Sequence, residues 1–279
     1  MLYLPAPSWN FTLSNVQATR PATGWGASVT PGTGGTKGNW TQVFTGTQIN
    51  TEVFGLLIFI NNNSTSATTR NVLMDIGIDT AGGTTYTVLV PDLIGGHAAP
   101  TTVGGIYYYF PIYIPQGSSV AARATGTTAT AFNVALTCYG KPRRPDSVVV
   151  GTKVSAFGAT LATATGTTIT AGTTAEGAWT QLGSDTTRPI FWWQCGMTCV
   201  DTTMTANAHT MDISVGDATN KDIVLQDAMA IFTAAEQSTM LPAVTQSYDR
   251  TPVGQLVYGR VQCSGTADSA LSMMAYGLG

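Results

Sequence analysis

The feature that most constrains this chain is that it contains itself twice. Met74-Asp75-Ile76 returns as Met211-Asp212-Ile213, a displacement of 211 − 74 = 137 residues. The same displacement carries Pro115 to Pro252, Gly117 to Gly254, Arg123 to Arg260 and Tyr139-Gly140 to Tyr276-Gly277. Upstream, Gly38-Asn39-Trp40-Thr41-Gln42-Val43 matches Gly177-Ala178-Trp179-Thr180-Gln181-Leu182 at a displacement of 139. Between these blocks, Val90-Pro91-Asp92 resembles Leu225-Gln226-Asp227 at 135. A near-constant displacement across separated blocks marks tandem duplication with small insertions and deletions. The expected organisation is an N-terminal extended arm (1–23), a first domain (24–140), a linker (141–152) and a second domain (153–279). Lys141-Pro142-Arg143-Arg144-Pro145-Asp146 marks the linker. Prolines and charges packed that closely suit neither a helix nor a central strand. The arm carries Pro5, Pro7 and Trp9, and could tie down onto a neighbour.

Each copy reads as a series of short strands. In the first, Val53 to Ile60 is an apolar run closed by Asn61-Asn62-Asn63, and Met74 to Asp79 alternates before Ala81-Gly82-Gly83. Thr84 to Val90 stops at Pro91, Ile106 to Ile114 is aromatic and β-branched, and Val120–Thr125 with Ala131–Tyr139 makes a last hairpin. The second copy offers Ile190–Val200, Met211–Val215, Asp222–Leu225, Leu256–Gln262 and Ala270–Tyr276. The fold class expected is all-β, two tandem β-sandwich or jelly-roll-like domains related by internal duplication. One exception is expected: Gln226 to Met240, with Ala and Glu between apolar residues, reads as a short connecting helix. Trp40, Trp179, Trp192 and Trp193 are the expected core anchors.

Composition bears on what surrounds the fold. Charged residues make up 10% of the chain, against a usual figure of about 25%. With 43% hydrophobic residues the chain has enough to bury, so disorder is not expected. No apolar run approaches the ~20 residues of a spanning helix, and no membrane partner is expected. Interface cores are depleted of charge, so the low charge points to a surface covered by other subunits. A net charge of −3 gives no electrostatic footprint for nucleic acid. The N-terminus shows no basic segment leading into an apolar one, so no signal peptide is expected.

Chemistry is sparse. Cys195 and Cys199, four apart on a strand, would sit ~13 Å from each other, beyond disulfide reach. With Cys138 and Cys263 they read as small buried thiols. His97 and His209 do not correspond between the copies, and no phosphate loop or nucleophile elbow is present. No catalytic, cofactor-binding or metal-ligating residues are expected, and the chain reads as no enzyme. Two pairs stand out: Asp75 with Arg123, and Asp212 with Arg260, both recurring at one displacement in a charge-poor chain. Each is expected to bridge neighbouring strands and fix their register. The alternative is that each arginine faces a partner subunit.

The segment Ile114-Pro115-Gln116-Gly117-Ser118-Ser119-Val120-Ala121-Ala122-Arg123-Ala124 resembles a segment of virion proteins from tailed bacteriophages. The second copy keeps Pro252, Gly254 and Arg260 but carries Tyr258-Gly259 where the first has two alanines. The resemblance implies a structural role in a virion assembled in the host bacterial cytoplasm. The expected function is capsid decoration or cement, or a neck or tail component. The expected partners are copies of itself, as a trimer or another cyclic ring, and other virion proteins such as the major capsid or tail proteins. The alternatives are a receptor- or carbohydrate-binding tail protein, with Tyr107, Tyr108 and Tyr109 in an open groove, and a small double-jelly-roll major capsid protein. A glycan hydrolase would need two facing carboxylates ~5–10 Å apart.

Overall fold

Among the described residues each copy forms nine strands, and they pair in the same order. The computed structural model describes residues 11–15, 26–61, 70–97, 105–141, 149–199, 207–232, 244–265 and 271–279. The first copy contributes β1 (Thr12–Ser14), β2 (Ala27–Val29), β3 (Thr41–Phe44), β4 (Gly55–Asn61), β5 (Arg70–Asp79), β6 (Thr87–His97), β7 (Gly105–Phe110), β8 (Ser119–Gly126) and β9 (Phe132–Tyr139). The second contributes β10 (Val154–Phe157), β11 (Thr167–Ile169), β12 (Thr180–Gly183), β13 (Ile190–Cys199), β14 (Asn207–Gly216), β15 (Lys221–Phe232), β16 (Val244–Thr251), β17 (Leu256–Cys263) and β18 (Leu271–Leu278). No helix occurs among the described residues.

In the first copy one sheet runs β1-β9-β4-β7 with β2 also on β9, and the other runs β3-β8-β5-β6. In the second copy the sheets are β10-β18-β13-β16 with β11 on β18, and β12-β17-β14-β15. Adding nine to every strand number converts one copy into the other. Leaving out β1, the remaining eight strands interleave as β2-β9-β4-β7 over β3-β8-β5-β6, the strand order of a jelly roll. The chain is therefore two tandem jelly rolls related by duplication.

Side chains alternate as a two-sided strand requires. On β7, Ile106, Tyr108 and Phe110 are buried, Tyr107 is exposed and Tyr109 is half-buried. In the second core Trp193, Cys195 and Met197 point inward from β13, with Trp193 set against Phe157. The Pro-x-Gly segment that carries the virion resemblance is a turn. Gly117 and Gly254 have φ of 82° and 84°, a conformation open to glycine and strained for other residues. Their N–H groups donate to the carbonyls of Ile49 and Thr186.

Several expectations are corrected. Gln226–Phe232 belongs to strand β15, not to a helix. Ala228 and Ala230 are buried there while Gln226, Asp227 and Met229 are exposed. That period of two, paired along β14, overrides the helix preference of alanine. Residues 233–240 of the expected helix lie outside the described residues. Pro91 does not end its strand, because β6 is a sheet edge where a missing N–H is tolerated. Trp40 and Trp179 are half-buried rather than core anchors, since each ring lies under an arginine. Thr12–Ser14, within the expected arm, pairs with β9 of its own domain. The far end of the expected linker is pinned: Gly151 N–H donates to Pro111 O, and Tyr113 N–H to Gly151 O.

The two jelly rolls meet edge to face. Strand β6 of the first lies against β10 and β13 of the second. Ile94 on β6 packs over Gly196, where an added Cβ would sit 2.4 Å from its side chain. As an edge strand, β6 leaves the polar groups of Ile94 unpaired in the ladder, and two tyrosines satisfy them. Ile94 N–H donates to Tyr276 Oη at 2.7 Å, and Tyr108 Oη donates to Ile94 O at 2.5 Å. Burial pushes both phenols above their ordinary range. Through this contact the buried apolar residues of both domains form one connected cluster.

Candidate functional site

Each domain carries one charge cluster on the sheet built from β3-β8-β5-β6 or its equivalent. In the first, Asp75 on β5 stands opposite Arg123 on β8, and Arg123 Nε donates to Asp75 Oδ2 at 2.9 Å. A bulge in the β5–β6 ladder at Asp75 turns Asp92, at φ 50°, so that its N–H donates to Asp75 Oδ1 at 3.0 Å. Lys37 enters from the loop before β3. Its ammonium donates to Asp75 Oδ1 at 2.8 Å, Asp92 Oδ1 at 2.7 Å and Leu73 O at 3.0 Å. Two cations thus face two carboxylates.

The second cluster repeats the frame. Asp212 stands opposite Arg260, whose Nε and Nη2 donate to Asp212 Oδ2 at 2.8 and 2.7 Å. Asp227, at φ 52°, donates its N–H to Asp212 Oδ1 at 2.7 Å. Both arginines stack on the tryptophan of the matched block, Arg123 at 4.4 Å from the Trp40 ring centre and Arg260 at 4.2 Å from that of Trp179. A stacked, hydrogen-bonded guanidinium in a partly buried site is held in one orientation.

The clusters differ at one point. Glu176 stands where the first copy has Lys37, and it pairs with Arg260 Nη2. Glu176, Asp212 and Asp227 bring carboxylate oxygens within 4.8 Å of one another. Loss of hydration, then the charge of Asp212, pushes the Glu176 carboxyl above its ordinary range, with Arg260 opposing. The expected pairs Asp75–Arg123 and Asp212–Arg260 are each in contact. Lys37, Asp92, Glu176 and Asp227 were not picked out by sequence reasoning. The signal was there: Lys37 and Glu176 immediately precede the matched Gly-x-Trp-Thr-Gln blocks, and Asp92 matches Asp227.

A second feature is a pair of equivalent surfaces, one buried and one partly exposed among the described residues. Ile94, two residues after Asp92, is 0% exposed in the contact between domains. Its equivalent, Met229, two residues after Asp227, is 58% exposed on the edge strand β15. Ile94 pairs with Leu73 and Met229 with Thr210, which confirms the equivalence. On the outer face of β13 and β18, Gln194, Thr198, Ser272 and Tyr276 are buried, and Ile94 and Asp92 of the first domain meet Gly196 and Tyr276 there. The equivalent face of β4 and β9 presents half-buried Leu57, Phe59 and Tyr139 beside Tyr109 and the exposed Tyr107. Tyr107 stacks on Phe59, and Tyr109 is T-shaped to Tyr139 and Trp192.

An open concavity is lined by Asp185, Asp217 and Asp222 with Gly254 and Leu256. Asp217 accepts from the N–H groups of Asn220 and Thr219, which hold it below its ordinary range. It is engaged in closing a turn. Cys138, Cys195 and Cys263 are buried thiols outside any disulfide.

No family model matches the chain, and no curated protein matches it in sequence. Among solved structures it is similar to the STIV MCP, a viral major capsid protein, with 6% identity, 96% of each chain covered and a TM-score of 0.39. It is also similar to PNGF-II, with 8% identity, 96% of this chain and 65% of that one covered, and a TM-score of 0.37. A third is the tandem CBM22-1-CBM22-2 domain of Xyn10C from Paenibacillus barcinonensis, with 12% identity, 96% and 90% covered, and a TM-score of 0.26. None of these three reaches a TM-score of 0.5, and the jelly-roll assignment rests on strand order alone.

Proposed function

We propose that this chain is a non-enzymatic structural protein of a tailed-phage virion, a capsid decoration or a neck or tail component, that assembles by repeating its own inter-domain contact. The observation that carries the reading is Met229. It is exposed at the position where Ile94 is buried against the second domain. The contact inside the chain joins two different surfaces, an edge strand and a sheet face. Such a contact propagates head to tail and closes into a ring when its rotation allows. The edge strand β15 of one chain would meet the half-buried Leu57 and Phe59 of the β4 face on the next. Leu57 fills the place of Gly196, so the pocket is shallower there, and a flexible methionine suits it better than a stiff β-branched side chain.

Two tandem jelly rolls docked edge to face also support the second reading, a small double-jelly-roll major capsid protein. The carbohydrate-binding reading loses support from β7: Tyr108 is buried and Tyr109 is packed, leaving only Tyr107 exposed. The test is imaging of purified virions at residue resolution. The proposal expects symmetric copies with Met229 of one against the Leu57 face of the next. Isolated copies at fibre tips, with the Tyr107 face turned outward, would contradict it. High copy number in the shell lattice selects the capsid reading over decoration.

A further inference from the structure

Lys37 and Glu176 occupy equivalent points and carry opposite charge. Each lies just before a glycine held alike: Gly38 N–H donates to Ala124 O and Gly177 N–H to Val261 O, positions 137 apart. In the first domain the Lys37 ammonium is a cation bound by Asp75, Asp92 and the Leu73 carbonyl. In the second domain the same two aspartates recur, held by the same backbone bond, and among the described residues no lysine reaches them. The Thr210 carbonyl stands where that of Leu73 stands, because Leu73 pairs with Ile94 and Thr125 while Thr210 pairs with Met229 and Gln262.

We propose that Glu176, Asp212 and Asp227 bind one divalent cation, Ca²⁺ by preference, at the point the Lys37 ammonium fills in the first domain. The first domain supplies the independent observation: the equivalent carboxylates already ligate a positive charge there. Charge sets the valence. Three carboxylates and one guanidinium leave two negative charges in the second cluster, whereas the first is balanced. Ligand chemistry sets the class. All donors are oxygen, which suits Ca²⁺ or Mg²⁺ and not zinc. Carboxylates drawn from a loop and two strands, with water completing the shell, suit the larger and less exacting ion. Arg260 remains where Arg123 remains, stacked on its tryptophan, so the ion adds to the arginine rather than replacing it. With few protein ligands, affinity is expected near 10⁻⁴–10⁻³ M, about that of extracellular calcium modules.

The test titrates the chelator-treated full chain with Tb³⁺, reading emission sensitised by the nearby Trp179, and with Ca²⁺ by calorimetry. Wild type should take up one ion per chain, with Ca²⁺ displacing Tb³⁺ and raising the thermal midpoint. Glu176→Lys installs the chemistry of the first domain. It should abolish uptake and raise the midpoint in chelator to a level Ca²⁺ no longer changes. Asp227→Asn should weaken binding while the fold is kept. Lys37→Glu should create a second site. No uptake by wild type up to millimolar Ca²⁺ would overturn the proposal. So would unchanged uptake in Glu176→Lys, or a folded Lys37→Glu that gains no second ion. Should Lys37→Glu fail to fold, the two second-domain variants decide.

Discussion

The two jelly rolls share every strand pairing and differ where they meet something else. The turn glycines, the bulge that turns Asp92 and Asp227, and the arginine stacked on tryptophan are the same in both. Position 37 against 176 and position 94 against 229 are not. The first domain neutralises its cluster with its own lysine and spends its β6 edge on its sister. The second leaves its cluster short of positive charge and its β15 edge open. Duplication has preserved what the backbone pairing needs, and the copies have diverged where a charge or an apolar side chain looks outward.

The largest expected contrast is at the equivalent edge positions. Ile94→Asp buries an unpaired carboxylate against Gly196 and two tyrosines, and should cost about 4 kcal/mol or more, read by urea denaturation. Met229→Asp should leave the stability of the isolated chain within about 0.5 kcal/mol. Equal costs would break the distinction between a covered edge and an open one. Next come the clusters, compared in chelator. Asp75→Ala strands Arg123 and leaves Lys37 with Asp92 and the Leu73 carbonyl, and should cost about 2–3 kcal/mol, less than a fully buried pair because Arg123 keeps some contact with water. Asp212→Ala should cost clearly less, since Arg260 keeps Glu176 and the crowding of carboxylates is relieved. Tyr276→Phe removes the acceptor of the Ile94 N–H and should cost about 1–3 kcal/mol without separating the domains.

The smallest effect is expected at the thiols, where the two cores should behave alike. Burial pushes Cys138 and Cys195, one in each domain, up to about 12. Alkylation needs the thiolate, so at pH 8 both should stay unlabelled by iodoacetamide in the native state. They should react only when denaturant opens the fold. Labelling of one and not the other, read by peptide mass spectrometry, would show that one core is looser.

The duplication and most of the long strands, β16 excepted, were legible in the sequence because repeated blocks and apolar alternation survive without any knowledge of contacts. The short strands β1 to β3 and β10 to β12 were not. Three or four Thr- and Ser-rich residues carry no period of their own, and pairing with a long neighbour creates them. β15 was misread because alanine favours helices when nothing pairs with it, and β14 does. The arginine–aspartate pairs could be found because both members recur. Lys37 and Glu176 were hidden by the opposite circumstance: their meaning lies in the difference between copies, which matching residues alone passes over. The fate of Ile94 and Met229 depends on which edge is covered, and sequence periodicity does not encode that.

Native mass spectrometry of the full chain, wild type beside Met229→Asp, bears most directly on the central claim. Wild type should assemble into closed rings, and the variant should be a folded monomer whose thermal midpoint equals that of wild type diluted until its rings dissociate. A wild type that stays monomeric at every concentration, or a variant that assembles just as well, would contradict the account.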